Sequence, residues 1–176
     1  MSERTIRSDR RFDGRTISLR VDEVELGSGR RTTREVVEHP GAVAILAWDG
    51  ARLAMVRQWR HATGDALLEI PAGTLEPGEA PLATAKRELA EEVGRAASGW
   101  EAGPVFFTAP GFCTELMHTY LATDLTDASA AADDDEELEA SWLSMEGALA
   151  AIDDGTVRDA KTIVGVLWLA RRLGAR

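Results

Sequence analysis

Along Ile17, Leu19 and Val21 apolar residues alternate with polar ones, and the alternation resumes at Val24 and Leu26 after a slip at Asp22-Glu23. That pattern predicts a strand with a bulge, ended by Gly27-Ser28-Gly29. A second polar, β-prone stretch from Thr32 to His39 is placed to pair with it as an antiparallel hairpin. Beyond Pro40-Gly41 the composition changes. Ala42 to Trp48 reads as a buried-type strand, Asp49-Gly50 as a hairpin turn, and Leu53 to Val56 as the return strand. Leu67 to Ile70 is a short strand, and the prolines and glycines of Pro71-Ala72-Gly73 and Pro77-Gly78 predict a loop. Pro81 suits the first turn of a helix, where its missing N–H costs nothing. Leu82, Ala85, Leu89 and Val93 recur at helical spacing behind it, with Gly94 as the stop. Strands follow at Val105 to Phe107 and Met117 to Ala122, separated by a Pro110-Gly111 turn, and again at Leu138 to Leu143. Ala128 to Glu137 is an Ala/Asp/Glu stretch expected to be a loop. Met145 to Ile152 and Ala160 to Leu173 read as closing helices, the last with Ile163, Val166, Leu167 and Ala170 on one side.

The chain is of single-domain length, 176 residues, with the main domain expected over 41–176 and a hairpin segment over 1–40. Residues 1–40 hold too few large apolar groups for a core of their own, so the segment is expected to lean on a partner surface, which a homodimer would provide. At 44% hydrophobic and 28% charged, the chain has enough apolar side chains for a core and no run near the roughly 20 residues that span a bilayer. Asp and Glu number 30 against 20 Lys and Arg, and the net charge of -10 argues against binding nucleic acid or anionic membranes. Met1 to Phe12 is polar and Arg-rich with no apolar core of a secretory signal, and Cys113 is the lone cysteine, so a reducing, cytoplasmic setting is expected. A phosphate-bearing substrate would need a cation between it and this negative charge.

The helix after Pro81 supplies a place for one. Glu88, Glu91 and Glu92 stand at i, i+3 and i+4, so their carboxylates share one face, expected to turn away from the apolar stripe. Arg87 alone cannot neutralise three like charges. Hard divalent ions take carboxylate oxygens, and Mg²⁺ in particular is held by one or two carboxylates with phosphates and waters completing its shell.

From Gly73 the chain runs five residues to Glu79, then seven to Arg87-Glu88-Leu89-Ala90-Glu91-Glu92-Val93-Gly94. This resembles the Nudix box, G-x5-E-x7-R-E-U-x-E-E-x-G-U with U apolar, and departs from it at Arg95, a position that packs the helix end. The resemblance implies an α/β/α sandwich around a mixed sheet and hydrolysis of nucleoside diphosphates linked to another group. It also implies that Glu88 and Glu92 are the main Mg²⁺ ligands, with Glu91 supporting, the carbonyl of Ala72 completing the shell, and Mn²⁺ a substitute ion. Arg87 and Glu79 would brace the loop against the helix. Val56-Arg57-Gln58-Trp59-Arg60, Leu68-Glu69-Ile70-Pro71-Ala72-Gly73 and Ala109-Pro110-Gly111-Phe112 are similar to the ADP-ribose pyrophosphatase subfamily, and Pro110 stands fifteen places past Arg95, where that subfamily carries a proline.

By the same resemblance Arg60 would contact the diphosphate, and Arg34 and Glu115 would line the substrate pocket. The subfamily's base-stacking aromatic is matched here by Ile17, so stacking falls to Trp59 or Phe12. The water-activating base is expected in Asp133-Asp134-Asp135-Glu136-Glu137, with Glu136 the best match and Asp134 and Glu137 behind it, on a loop that closes over the substrate. The implied reaction is Mg²⁺-dependent cleavage of ADP-ribose to AMP and ribose 5-phosphate. The alternatives are a diphosphatase for another nucleotide sugar such as GDP-mannose, and a catalytically silent nucleotide-sensing domain. In the subfamily the N-terminal strands exchange between two subunits, which again implies a homodimer.

Overall fold

A computed structural model describes residues 2–128 and 138–175 and divides into two compact units, Met1–Gly41 with Phe107–Leu116, and Ala42–Phe106 with Met117–Arg176.

The first unit is a three-stranded antiparallel sheet in the order β1 (Glu3–Asp13), β2 (Ser18–Leu26), β3 (Arg31–Glu38). The expected hairpin thus gains a third strand, the Arg-rich start of the chain, whose mostly exposed side chains carry no apolar alternation to reveal it. The β2–β3 register runs unbroken through Asp22 and Glu23, so the expected bulge is not in β2; the irregularities lie in β1, between Thr5 and Arg7 and between Arg10 and Phe12. The slip in apolar pattern has another cause. Ser18, Asp22 and Val24 are the buried side of β2, and Asp22 is tolerated there because Arg20 pairs with it. Val24 is the one buried apolar side chain of this unit among the described residues. The sheet is laced instead by ion pairs such as Arg4–Glu25, Arg10–Glu38 and Arg20–Glu38, each worth about 0–1 kcal/mol at a surface. Residues 107–116 strap onto β3: the Val37 N–H donates to the Phe112 carbonyl at 2.7 Å and the Thr114 N–H to the Val37 carbonyl at 3.0 Å.

In the second unit one sheet runs β7 (Ala72–Thr74), β4 (Ala42–Ala47), β9 (Leu116–Asp127), β8 (Arg95–Phe107), and the other β10 (Leu138–Ser144), β5 (Arg52–Arg60), β6 (Asp65–Glu69). The first is mixed, since β4 pairs antiparallel with β7 and parallel with β9. All six residues of β4 are buried because helices cover both faces, as a continuous apolar run requires. Val43, Ile45 and Ala47 pack with Ala85 and Leu89 of α1 (Pro81–Val93). Ala42, Ala44 and Leu46 pack with residues of α2 (Met145–Asp153) and α3 (Ala160–Leu173). This is the expected α/β/α sandwich. Full burial of Leu89 alone contributes about 2 kcal/mol.

Four local readings change, the first being that the strand expected over Val105 to Phe107 begins at Arg95, directly after Gly94. Asp49-Gly50 does turn the chain, with one bridge at Trp48–Leu53, but β4 and β5 then diverge into different sheets instead of forming a hairpin. Pro71-Ala72-Gly73 is not all loop, since Ala72 and Gly73 pair with Ala44 and Val43. On α3 the buried stripe is Lys161, Thr162, Gly165, Val166, Leu169 and Ala170, and Leu167 is exposed. No described helix is long and apolar enough to cross a membrane.

Candidate active site

The platform is α1. Its first turn carries Pro81, and Gly94 closes it in the left-handed region (φ 65°, ψ 34°), where a residue with a Cβ would be strained. Thr84, Glu88 and Glu92 form one i, i+4 row beside the row of Ala85 and Leu89, and all five are buried. The carboxylates therefore do not turn away from the apolar stripe as expected. At about 100° per residue, Glu92 lies only about 60° round the helix from Leu89, so the row is drawn in with it.

The segment facing this row is β7. Its strand pairing and a hydrogen bond from the Ile45 N–H to the Pro71 carbonyl (2.8 Å) fix it against β4. From it the Ala72 N–H donates to Glu92 Oε2 at 3.1 Å. A Cβ on Gly73 would stand 1.9 Å from Glu88 Oε1 and 2.0 Å from its Cδ, so glycine is needed there for space. Arg87 Nη1 donates to Glu88 Oε1 (2.7 Å) and Glu91 Oε2 (2.9 Å), and Nη2 donates to Glu79 Oε2 (3.3 Å). Burial would lower the Arg87 pKa, but the hydrogen bond to Glu79 and the charge of Glu88 raise it, so it stays a cation. Burial likewise pushes the Glu79 carboxyl up, and the hydrogen bonds from Arg87 and Thr84 together with the Arg87 charge more than offset it.

One guanidinium thus meets Glu79, Glu88 and Glu91, with Glu92 on the same row. The donor set is the all-oxygen kind that a hard divalent ion takes, and Gly73 gives Glu88 its place against the backbone. The carboxylates are not gathered about one point: among the described residues no three His, Cys, Asp or Glu side chains are.

Arg60, at the end of β5, donates from Nε to Glu69 Oε1 (2.9 Å) and from Nη2 to Glu69 Oε2 (2.6 Å). Lys161 Nζ bonds the same Glu69 Oε2 and lies 3.1 Å from Asp159 Oδ2. Asp159 caps α3, accepting from the Thr162 N–H (2.9 Å) and hydroxyl (2.6 Å), and the Ile70 N–H donates to that hydroxyl at 2.9 Å. The hydrogen bonds that Arg60 donates to Glu69 outweigh desolvation and raise the Arg60 pKa, with Glu92 adding to the effect through its charge.

In the other unit, Arg34 grips Glu3 through Nε (3.1 Å) and Nη2 (2.6 Å). Glu115 accepts from the Thr108 hydroxyl at 2.5 Å and lies 3.7 Å from His39 Nε2. Both stacking candidates, Trp59 and Phe12, are exposed. Glu136, with Asp133, Asp134, Asp135 and Glu137, lies outside the described residues. Glu69, Lys161 and Asp159 are the residues that sequence reasoning missed as a group. Their signal was present: Glu69 is a charge inside an apolar strand, and Lys161 stands on the inner stripe of α3, where lysine is rare unless paired.

A mixed sheet presenting a buried carboxylate row on a helix, behind a glycine that admits it, defines the class. A family model described as the NUDIX domain matches residues 38–164, and the chain belongs to that family. Among its relatives is the ADP-ribose pyrophosphatase of Bacillus subtilis strain 168, 41% identical over 172 residues, 96% of this chain and 93% of the relative. Another is the methanol dehydrogenase activator of Bacillus methanolicus, 41% identical over 170 residues, 95% of this chain and 92% of the relative. The fold is shared with a crystal structure titled as an ADP compounds hydrolase, at a TM-score of 0.88 and 22% identity, over 99% of this chain and 95% of that one.

Proposed function

We propose that this chain hydrolyses the diphosphate bond of ADP-ribose, releasing AMP and ribose 5-phosphate. The observation that carries the reading is the buried Glu88–Glu92 row at the Gly73 gap, where a surplus of carboxylate charge calls for a cation. The similarity to an ADP-ribose pyrophosphatase over nearly the whole chain supports the substrate.

Glu88, Glu91 and Glu92, with the carbonyl of Ala72, would hold Mg²⁺, or Mn²⁺ in its place. A bound divalent ion screens the phosphates, polarises the P–O bond and acidifies water. Arg87 and Glu79 keep the carboxylates on their row. Arg60 offers a guanidinium to the diphosphate oxygens, and Arg34 and Glu115 serve the nucleoside and sugar ends. Glu136 takes the proton from the attacking water. The enzyme acts in the cytoplasm as a homodimer through residues 1–40, with the domain proper over 41–176. The exposed Phe12, Phe107 and Phe112 and the near absence of buried apolar side chains in the first unit support an interface there. A net charge of -10 speaks against a nucleic-acid or membrane partner.

The test is a panel of nucleotide sugars with phosphate-coupled detection in Mg²⁺. ADP-ribose should be the best substrate. A higher kcat/KM for GDP-mannose moves the reading to another nucleotide sugar, and no turnover of any diphosphate moves it to a silent sensing domain.

A further inference from the structure

Lys161 is 8% exposed, and the carboxylate it touches, Glu69, is 1% exposed. Burying a lysine costs several kcal/mol of desolvation, and an apolar residue in place of a buried ion pair is often neutral or stabilising. Fold stability alone gives no reason for a lysine in a stripe otherwise made of Thr162, Gly165, Val166, Leu169 and Ala170. The geometry around Glu69 does. Its two oxygens take the Nε and Nη2 edge of Arg60, while Nη1 makes no hydrogen bond among the described residues and the side chain keeps 36% exposure. A carboxylate serving Arg60 alone would orient that guanidinium but also cancel its charge. Lys161, bonded to the same Glu69 Oε2, shares the carboxylate and leaves Arg60 electropositive. Asp159 returns negative charge to Lys161, yet it is also the cap of α3, whose N-terminus contributes about half a positive charge. Taken by itself, the group of two cations, two carboxylates and a helix end is therefore slightly positive, which offsets part of the negative charge that Glu92 brings to Arg60 from outside it.

We propose that Lys161, acting through Glu69, is a positioning residue for diphosphate capture: it holds Arg60 with one edge turned outward and keeps that edge charged. The inference rests on the reading of Arg60 as a diphosphate contact. Lys161 touches no substrate, so its effect passes entirely through Arg60.

The experiment is a double-mutant cycle of Lys161→Met and Arg60→Ala in the full chain, with KM and kcat for ADP-ribose, the Mg²⁺ activation constant and Tm as readouts. Lys161→Met should raise KM roughly tenfold with kcat and the Mg²⁺ constant within about threefold, as for loss of uniform binding. In the Arg60→Ala background it should do nothing further. Lys161→Arg should restore KM to within about threefold of the parent, because a cation again shares the Glu69 carboxylate. Equal effects of Lys161→Met in both backgrounds, or an unchanged KM, overturn the proposal. If Lys161→Met fails to fold, the uncharged and polar Lys161→Gln takes its place, with the same Arg60-dependent rise in KM expected. Failure of both to fold makes the pair structural and also overturns it. The parent reading fails separately: no diphosphate turnover by the unaltered chain sinks the activity, and an unchanged KM in Arg60→Ala sinks the Arg60 contact.

Discussion

Gly73→Ala separates the requirement of the fold from that of the reaction at a single methyl group. Gly73 pairs with Val43 in ordinary extended backbone, so alanine meets no conformational penalty, and the unfolded chain loses freedom worth about 0.4–1 kcal/mol in favour of folding. Against that, the new Cβ falls 1.9 Å from Glu88 Oε1, 2.0 Å from Cδ and 2.5 Å from Cγ. Restoring van der Waals contact moves the carboxylate by roughly 1.5 Å. Glu88 is a flexible side chain whose far end can swing, so the fold pays little: the net change in stability should stay within about 1 kcal/mol, a Tm shift of about 2–4 °C. The reaction has no such latitude. A misplacement of about 1 Å costs on the order of a hundredfold in rate, so kcat for ADP-ribose in saturating Mg²⁺ should fall at least about a hundredfold.

The assay is steady-state turnover beside thermal melts in chelator, with two companions. Gly27→Ala, at a site with nothing within 4 Å of the new Cβ, should change neither readout. Glu88→Asp draws the carboxylate back by one methylene, so Gly73→Ala added to Glu88→Asp should cost far less than Gly73→Ala alone. Normal turnover in Gly73→Ala, or purely additive losses in the pair, would refute the idea that this glycine exists to admit Glu88.

Glu92→Gln keeps an oxygen for the Ala72 N–H but loses its charge, so turnover should drop at least about a hundredfold while Tm in chelator holds or rises. Glu136→Gln should lower kcat with KM and Mg²⁺ activation nearly unchanged; if it is silent while Asp134→Asn or Glu137→Gln is dead, the base is the neighbour. Burial pushes the Glu69 carboxyl up, but the Arg60 hydrogen bond and the Lys161 charge hold it below its ordinary 4.5. The stability it lends is full above pH 4.5 and lost as pH falls through its lower folded value, so Glu69→Gln should flatten the acid limb of a Tm-against-pH curve and leave the neutral limb's shape alone. Deleting residues 1–35 should turn a dimer into a monomer or aggregate by light scattering and raise KM; a fully active full-length monomer at micromolar concentration rejects the interface.

What the sequence made legible was whatever repeats along one element. The limits of α3, the αL stop at Gly94 and the two-sided burial of β4 all follow from patterns within one segment, where helical spacing, a capping glycine and an unbroken apolar run each have one reading. Pairing between segments is different. Nothing in Asp49-Gly50 says that β4 and β5 part after one bridge, because that depends on β9 and β10, some 70 and 90 residues away, competing for the two strands. The polar face of β2 misled for a related reason: Asp22 reads as outward until its pairing with Arg20 is known. The same holds at the site. The carboxylates were legible as a row on one helix, but their burial beside Leu89, and the Arg60–Glu69–Lys161–Asp159 chain that joins β5, β6 and α3, needed the tertiary structure.

The departure from the family pattern at Arg95 shows how such a position is satisfied by chemistry other than the pattern's own. An apolar residue there would pack the end of α1 by contact area. Arg95 offers area of another kind: its guanidinium lies 5.9 Å from the ring centroid of Trp142, which Arg52 approaches at 5.7 Å, and it forms an ion pair with Asp127. A planar cation over an indole is worth about 0.5–1 kcal/mol at a partly exposed site, within reach of what a small apolar contact would give. Among the described residues, the contacts of Arg95 are with Trp142 and Asp127 rather than with the carboxylate row. Arg95→Leu should therefore leave turnover unchanged and shift Tm by no more than about 2–4 °C. Arg95→Ala, which removes both kinds of contact, should lower Tm further, and a large loss of kcat in either variant would mean that the end of α1 is coupled to the carboxylates after all.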